Sequence, residues 1–198
     1  MKKGLDEVAR ATNGSPAAPA RRRGASRDPR RAERIVEGAM AVIAKEGLER
    51  LTHRAVAAEA GIPLGSTTYH FQSLEDIVLA AMLHAKADDT ASLSAWADGI
   101  AHRDELAVAL ARRIVYDAQR AQMVANVRLY LAAVSRPELE EIAYDWSQVM
   151  TRILERFVDH VTAETLSALY DALIMRVMIS GDRVTQDEIE RILRRALA

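Results

Sequence analysis

The sequence predicts an all-α protein of about nine helices, with a small N-terminal three-helix domain followed by a larger helical domain. Three observations support this fold class. Apolar residues recur at helical spacing from about residue 30 onward, and capping residues stand where these patterns begin and stop. Residues 51–76 place two very short helical patterns on either side of a glycine. With 198 residues, 49% of them hydrophobic, the chain is long enough for an ordinary helical core.

The first 28 residues differ in composition from the remainder. Glycine, proline, asparagine and serine interrupt them and no apolar period survives, so we expect a basic, disordered tail over 1–28. The tail contains Arg21, Arg22 and Arg23. These arginines fit either an arm that binds DNA phosphates or the minor groove, or a solvated extension.

The first predicted helix presents one apolar face and stops at Gly47. Its face, at positions i, i+4, i+7 and i+8, comprises Ile35, Ala39, Val42 and Ile43. The two helices that follow are too short to be stable alone in water, so they need this face as support. We therefore expect one folded unit over residues 29–73.

The two short helices have the spacing of a helix-turn-helix. Thr52 can cap the first, and Gly61 can adopt a left-handed conformation where it ends. Pro63 favours the start of the second, which we expect from about Leu64 to Phe71. The first turn of the second helix is small and rich in hydroxyl groups, which lets its backbone approach a phosphate or a base edge.

Capping patterns and apolar stripes predict further helices up to the C-terminal end. Ser73 with Asp76 predicts a capping box for the fourth helix. The stripe of this helix comprises Ile77, Ala81 and Ala85. The stripes of the next two helices comprise Leu106, Leu110 and Ile114, then Val124, Val127, Leu131 and Val134.

The last three helices are predicted from a capping residue and a long apolar face in each. Ser135 with Glu138 is expected to cap a long helix. The apolar face of that helix comprises Leu139, Ile142, Trp146, Val149, Ile153 and Phe157. Thr162 is expected to start the next helix, and Thr185 the last.

Charge is distributed unevenly along the chain. Residues 1–73 carry 13 Lys and Arg against 8 Asp and Glu, a net +5, and residues 74–198 carry 14 against 20, a net −6. A basic N-terminal part fits attraction to phosphates. The absence of cysteine excludes a thiol redox sensor, and the lack of a long apolar run leads us to expect a soluble cytoplasmic protein without a membrane segment.

Residues 58–77, AEAGIPLGSTTYHFQSLEDI, closely resemble the helix-turn-helix signature of the TetR family of bacterial transcriptional regulators. The resemblance spans about residues 30–77. It implies a regulator, most often a repressor, that binds a double-stranded DNA operator. The implied DNA contacts are Thr52, His53, Arg54, Leu64, Gly65, Ser66, Thr68, Tyr69 and His70. Leu74 stands where the family commonly has a lysine that meets the phosphate backbone, so that contact is expected elsewhere.

Residues 74–198 are expected to bind an effector and to dimerise. The middle helices carry aromatic, thioether and a few polar groups, which suit either a largely apolar small-molecule effector or ordinary core packing. The candidate effector residues are Trp96, Tyr116, Met123, Asn126, Tyr130, Trp146 and Met150. The effector's identity, the operator and the controlled genes do not follow from the sequence.

The last two helices carry more apolar surface than a solvent-facing hairpin needs, which fits a homodimer interface or the closure of the protomer's own core. The candidate interface residues are Leu166, Leu169, Leu173, Val177, Ile189, Ile192 and Leu193. The resemblance favours a homodimer. A two-fold dimer would require a palindromic operator with half-sites about 34 to 36 Å apart.

Enzyme activity is not expected from this sequence. Its five histidines form no HExxH pair and none stands beside an activated nucleophile, so no catalytic residue is assigned. His84 and Asp88 share a helix face, but two ligands are insufficient for a metal site, and neither metal nor cofactor is expected. The alternative function is a helical protein-interaction module in which DNA binding has degenerated.

Overall fold

The computed structural model describes residues 29–198, and within them nine α-helices succeed one another without a strand. They are α1 (Pro29–Glu46), α2 (His53–Glu59), α3 (Leu64–His70), α4 (Leu74–Asp98), α5 (Leu106–Ala118), α6 (Ala121–Ala132), α7 (Pro137–Leu154), α8 (His160–Ser180) and α9 (Gln186–Leu197). The predicted all-α fold is confirmed. The predicted tail, with its three consecutive arginines, lies outside the described residues.

The turns between the first four helices follow the predicted capping chemistry. The Thr52 hydroxyl accepts a hydrogen bond from the Ala55 amide at 3.0 Å, and Gly61 adopts a φ of 61° just beyond α2. At the start of α4, the Ser73 hydroxyl and the Asp76 carboxylate each accept a bond from the other's main-chain amide, both at 3.0 Å. These caps fix the angles at which α2, α3 and α4 leave their turns.

Helix α1 holds α2 by a close backbone approach and by a side-chain cap. A Cβ at Gly38 would lie 2.9 Å from the Cβ of Ala60 and 3.1 Å from the carbonyl oxygen of Val56. Arg34 donates a hydrogen bond from Nη2 to the Ala60 carbonyl at 2.8 Å, where α2 ends. The glycine in the middle of α1 therefore has a packing role that the sequence analysis did not recognise.

The longer helices form the second part of the fold around one continuous apolar core. Helix α4 contacts α1, α6 and α7, so it joins the N-terminal three helices to the rest. Helix α5 packs against α8 and α9, and α6 packs against α1. None of the helices in residues 29–198 is long and apolar enough to span a membrane.

A buried polar network ties α5 to α8. Asp117 is fully buried, and its Oδ2 accepts hydrogen bonds at 2.5 Å from Nε of Arg113 and from the hydroxyl of Tyr170. Arg113, itself buried, also donates to the hydroxyl of Ser92 in α4 at 3.0 Å. The pKa of Tyr170 lies well above its ordinary value, because burial and the Asp117 carboxylate both disfavour the phenolate.

The predicted apolar stripe of the sixth helix was wrong. The side chains of α6 that lie in the core are Ala125, Asn126 and Leu129, whereas Leu131 is exposed and Val134, beyond the end of α6, is 88% exposed. Ala125 and Leu129 are thus the core-facing apolar residues of the helix that packs on α1.

The predicted cap of α7 and the predicted start of α8 at Thr162 were also wrong, since α8 begins at His160. Ser135 donates to the carbonyl oxygen of Ala132 at 3.3 Å and does not cap α7, which begins at Pro137 and ends before Phe157. Helix α8 is capped by Asp159, whose carboxylate accepts from both the amide and the hydroxyl of Thr162. At the start of α7, Pro137 has no amide hydrogen and therefore needs no acceptor. At the start of α8, Asp159 occupies the capping position directly before the first residue, whereas Thr162 lies within the first turn.

Five of the seven candidate interface residues are already covered within one protomer. Leu173 and Val177 are buried, and Leu166, Ile189 and Leu193 are completely buried, because α8 and α9 pack against α5 and against each other. Leu169 and Ile192 are half-buried and also pack on the core. An interface on these helices must therefore use other side chains, and the alternative of internal core closure accounts for these five.

Candidate DNA-binding surface and ligand cavity

One face of the helix-turn-helix is open to solvent. Thr52 and Arg54, at the start of α2, are exposed. Gly65 and Thr68 of α3 are exposed as well. Leu64 is 44% exposed although it is apolar. A Cβ built on Gly65 would meet no heavy atom of residues 29–198 within 4 Å. This face can approach another surface without rearranging the core.

The remaining candidate DNA residues lie at the edge of this face. Tyr69 is 51% exposed, whereas His53, Ser66 and His70 are half-buried. The rings of Tyr69 and His70 meet edge to face at 5.3 Å between centroids. The structure thus brings all nine candidates to α2, α3 and the turn before α2, and their contacts with DNA remain predictions.

Thr67 is the one residue of α3 that lies outside the candidate set, and it is completely buried. Its hydroxyl donates to the Leu64 carbonyl oxygen at 2.8 Å and lies 3.2 Å from Nδ1 of His53. The Thr67–His53 contact joins the two short helices. His53 therefore positions α3 in addition to any contact that it makes with DNA.

Helix α6 is bonded directly to the end of α1. The guanidinium of Arg128 donates from Nη1 to the carbonyl oxygens of Ile43 and Ala44 at 2.5 and 3.1 Å. Both carbonyls belong to the last turn of α1, and that of Ile43 also accepts a hydrogen bond from the Gly47 amide at 3.1 Å. Arg128 has no distinguishing signal in the sequence, because a lone arginine on an amphipathic helix resembles a solvated residue.

A cavity of about 250 Å³ lies among α4, α6, α7 and α8. Five of the seven candidate effector residues line it, namely Met123, Asn126, Tyr130, Trp146 and Met150. The other apolar lining residues include Leu93, Val127, Leu131, Val149, Ile174 and Met175. Val127 and Leu131 belong to the stripe of α6 that was predicted to pack in the core. In the structure their apolar side chains line the cavity.

The other two candidates, Trp96 and Tyr116, lie elsewhere. They flank a separate surface depression beside Gly99 and Arg112. Tyr116 is exposed and stacks under the guanidinium of Arg120 at 5.4 Å. Helical spacing alone could not separate these aromatic residues from those of the cavity, because which face of each helix meets the cavity depends on the tertiary packing.

The cavity contains two carboxylates that the sequence analysis did not select. Asp89 of α4 accepts a hydrogen bond from Nε1 of Trp146 at 2.9 Å, and burial raises its pKa. Asp171 lies on α8, and the residue as a whole is exposed. Its carboxyl group is nevertheless partly desolvated, and this burial, together with the charge of Asp89, raises its pKa to about 6. An acid within an otherwise apolar segment was the only signal that could have found Asp171.

Serine and asparagine side chains also line the cavity, namely Asn126, Ser147 and Ser167. Ser167 is 6% exposed, and among residues 29–198 its hydroxyl has no hydrogen-bond partner. Asn126 is buried, and its Oδ1 accepts a long bond of 3.4 Å from Nε2 of Gln122. No lysine or arginine lines this cavity in the part of the chain described here.

Charged groups from neighbouring helices act on the cavity from behind its wall. Arg113 and Arg120 lower the pKa of Asp89, and Asp117 raises it. Arg113 forms hydrogen bonds with Asp117 and Ser92, so the Asp117 carboxylate offsets much of its positive charge. Across residues 29–198, three or more His, Asp or Glu side chains nowhere gather as a metal site would need.

Comparison with known proteins agrees with this arrangement. Residues 35–81 match the family model of bacterial regulatory proteins of the tetR family, and residues 101–198 match that of the tetracyclin repressor-like C-terminal domain. A structure of a TetR-family member, SCO1917 from Streptomyces coelicolor A3, is 33% identical with a TM-score of 0.74, covering 85% of this chain and 98% of its own. The chain belongs to the TetR family of bacterial transcriptional regulators.

This TetR-family regulator is also similar to EbrR and to PksA. The multidrug binding protein EbrR, solved with imidazole, is 33% identical with a TM-score of 0.72, covering 86% of this chain and 91% of its own. The HTH-type transcriptional regulator PksA of Bacillus subtilis strain 168 is 24% identical over 181 residues, covering 83% of this chain and 86% of its own. The helices α2 and α3 are therefore the DNA-binding helix-turn-helix of a transcription factor.

Proposed function

We propose that this TetR-family regulator is a homodimeric repressor that a small, largely apolar effector releases from a palindromic operator. The observation that carries the proposal is the position of α6. This helix lines the cavity with Met123, Asn126 and Tyr130, and Arg128 of the same helix bonds to the end of α1. A ligand that shifts α6 therefore acts on the helix that supports the helix-turn-helix.

We propose that residues 29–73 bind DNA and that residues 74–198 bind the effector and dimerise. Helix α4 leaves the first part at Ser73 and reaches the cavity at Asp89 and Leu93. It is a second connection between effector and DNA, parallel to that of α6. An effector that favours the arrangement with weak operator affinity would weaken binding by about 1 to 3 kcal/mol of coupling.

The relatives support a small-molecule effector. Structures of EbrR have been solved with ethidium, malachite green and proflavin. The ethidium complex is 32% identical to this chain with a TM-score of 0.70. We propose that the cavity lined by Trp146 and Met150 in this chain has the corresponding role of holding an effector.

The homodimer is proposed to use the outward faces of α8 and α9. Ile179 of α8 is apolar and 79% exposed, and Met175 is exposed beside the cavity. Exposed apolar side chains of this kind suit an interface between copies better than the buried leucines do. Two-fold symmetry would then place two α3 helices about one turn of DNA apart.

The experiment that tests this function is selection of bound duplexes from a randomised pool by the purified protein, followed by sedimentation to determine the mass of the complex. We expect a palindrome with half-sites about 10 base pairs apart, bound by two chains. The matched control is Tyr69→Ala, which should bind the selected duplex more weakly with its fold intact. Enrichment of no sequence would reject the proposal and favour the protein-interaction alternative.

Release is tested separately, with the selected operator as a fluorescent probe. A panel of uncharged, cationic and anionic aromatic compounds is titrated into the complex, and anisotropy reports dissociation. At least one compound should release the operator from the wild-type protein but not from a variant with the cavity filled, such as Ser167→Phe. Dissociation that is equal for both proteins would show that the compounds act outside the cavity.

A further inference from the structure

We infer that the cavity among α4, α6, α7 and α8 is a site for an aromatic organic cation, whose charge is bound by Asp89 and Asp171 and whose polar group is bound by Ser167. This inference rests on the proposed role of the cavity as the effector site. It goes further by assigning the charge of the ligand and the residues that recognise it.

The charge of the lining is the first argument. Asp89 and Asp171 both line the cavity, and within the described residues no basic side chain lines it with them. Asp171 forms no ion pair or hydrogen bond with any of residues 29–198. An ionised carboxylate in such surroundings is stabilised when a cation enters, whereas an anion would be repelled by both groups.

An unsatisfied polar group inside the cavity is the second argument. Ser167 lines the cavity, and only 6% of the residue is exposed. Its hydroxyl has no hydrogen-bond partner in the described part of the chain and is not among the enclosed side-chain oxygens, so it is accessible to a ligand in the cavity. A ligand that carries an N–H or oxygen atom would satisfy it.

The aromatic and thioether side chains of the remaining cavity wall are the third argument. Trp146 and Tyr130 contact each other edge to face with centroids 6.2 Å apart, and both line the cavity together with Met123, Met150 and Met175. Aromatic faces attract cations, and thioethers adapt to flat rings. The wall therefore fits an apolar aromatic body, while the two carboxylates select for a positive charge on it.

Two probes of the same shape and opposite charge test the inference. Tetraphenylphosphonium and tetraphenylborate are titrated into the full chain in sodium buffer by calorimetry, together with the smaller cation benzyltriethylammonium. We expect at least one cation to bind and the borate to bind more weakly than the phosphonium. Equal affinity for both tetraphenyl ions, or binding of neither cation, would overturn the inference.

Variants then locate the charge. Asp171→Asn and Asp89→Asn should each weaken cation binding about tenfold. An opposite charge at short range typically shifts the pKa of a group by about one unit, and one unit corresponds to a tenfold change in an equilibrium constant. Asparagine at 89 keeps an acceptor for Trp146, and Asp171 has no partner to lose, so both variants should fold. The matched control is Asp88→Asn, which changes an exposed carboxylate paired with His84. Unchanged cation affinity in both cavity variants would contradict the assignment.

The outcomes separate this inference from the proposed function. If the phosphonium binds through Asp171 but leaves the operator complex intact, the cation site stands and its role in release fails. If an uncharged compound releases the operator and neither cation binds, release stands and the cation site fails.

Discussion

Arg128 in α6 donates hydrogen bonds to the carbonyl oxygen of Ile43, 2.5 Å away, and to that of Ala44, in the last turn of α1. Asn126 and Val127, its neighbours in sequence, line the cavity. One short helix thus contacts both the proposed effector cavity and α1, which supports the helix-turn-helix. This contact is a direct path by which the cavity and the helix-turn-helix can influence each other.

Replacing Arg128 with alanine should reduce the response to effector more than it reduces operator affinity. The variant loses the bonds to α1 but keeps every cavity residue, so effector binding should persist while the coupling falls to the part that α4 alone transmits. Calorimetry of effector binding and anisotropy of the operator complex measure the two effects. Arg112→Ala, an exposed change on α5, is the control. Undiminished release by effector in Arg128→Ala would show that α4 alone transmits the signal.

Gly38→Ala should destabilise the protein, whereas Gly65→Ala should not. The added methyl group at 38 would lie 2.9 Å from the Cβ of Ala60, and relief requires α1 and α2 to separate, at about 1 to 3 kcal/mol. At 65 the methyl group meets open space and improves helix propensity. Denaturant unfolding measures both variants. Equal stability of the two would contradict the tight α1–α2 contact.

Substitutions in the helix-turn-helix should separate affinity from sequence preference. We propose that Tyr69 and His70 contact DNA phosphates and that Leu64 and Thr68 face base edges. Alanine at Tyr69 or His70 should then weaken binding to all duplexes, because phosphate contacts carry no base information. Changes at Leu64 or Thr68, which are exposed on α3, should instead alter the preferred operator. Repeated selection from the randomised pool with each variant distinguishes the two classes. An altered consensus for Tyr69→Ala would reverse the assigned roles.

Asp171→Asn should raise the melting temperature at about pH 7.5. The folded-state pKa of Asp171 is raised from 3.8 to about 6, so between these values the folded protein holds a proton that the unfolded chain has lost. Stability contributed by this group therefore falls as the pH rises through that window. The variant's advantage should shrink by about pH 5 and vanish near pH 4. A difference that is independent of pH would argue against the raised pKa.

Asp117→Ala should be among the most destabilising single substitutions in the chain. It would leave the buried guanidinium of Arg113 without its carboxylate partner and the Tyr170 hydroxyl without its acceptor. Removing one member of a buried ion pair reduces the free energy of unfolding by about 3 to 5 kcal/mol. The exposed pair between Asp98 and Arg156 offers a control, since Asp98→Ala should change the free energy of unfolding by less than about 1 kcal/mol.

Local features of this fold were predictable from the sequence. Thr52, Gly61 and Ser73 act through chemistry confined to their own turns, so their caps appear in the structure as expected. The apolar face of Ile35 and Ile43 is buried for the same reason, since helical spacing fixes it. These features need no knowledge of the distant partner.

Features that depend on the packing of distant helices were not predictable in this way. Leu131 has the same apolar character as Leu129, yet one lines a cavity and the other is buried, because α6 packs on α1 through its Ala125 side. Asp89 and Asp171 are 82 positions apart in the sequence and meet only when α4 and α8 are assembled. Likewise, Leu166 and Ile189 have the composition of an interface but are enclosed by α5.

The most direct test of the central claim measures operator binding and effector binding in the same preparation. Anisotropy of the selected palindrome is followed while an effector from the compound panel is added to the wild-type protein and to Arg128→Ala. We expect two chains per palindrome and release of the wild-type complex, with the variant binding the effector but releasing less of the operator. A wild-type protein that binds the compound in its cavity and holds the operator with unchanged affinity would contradict the account.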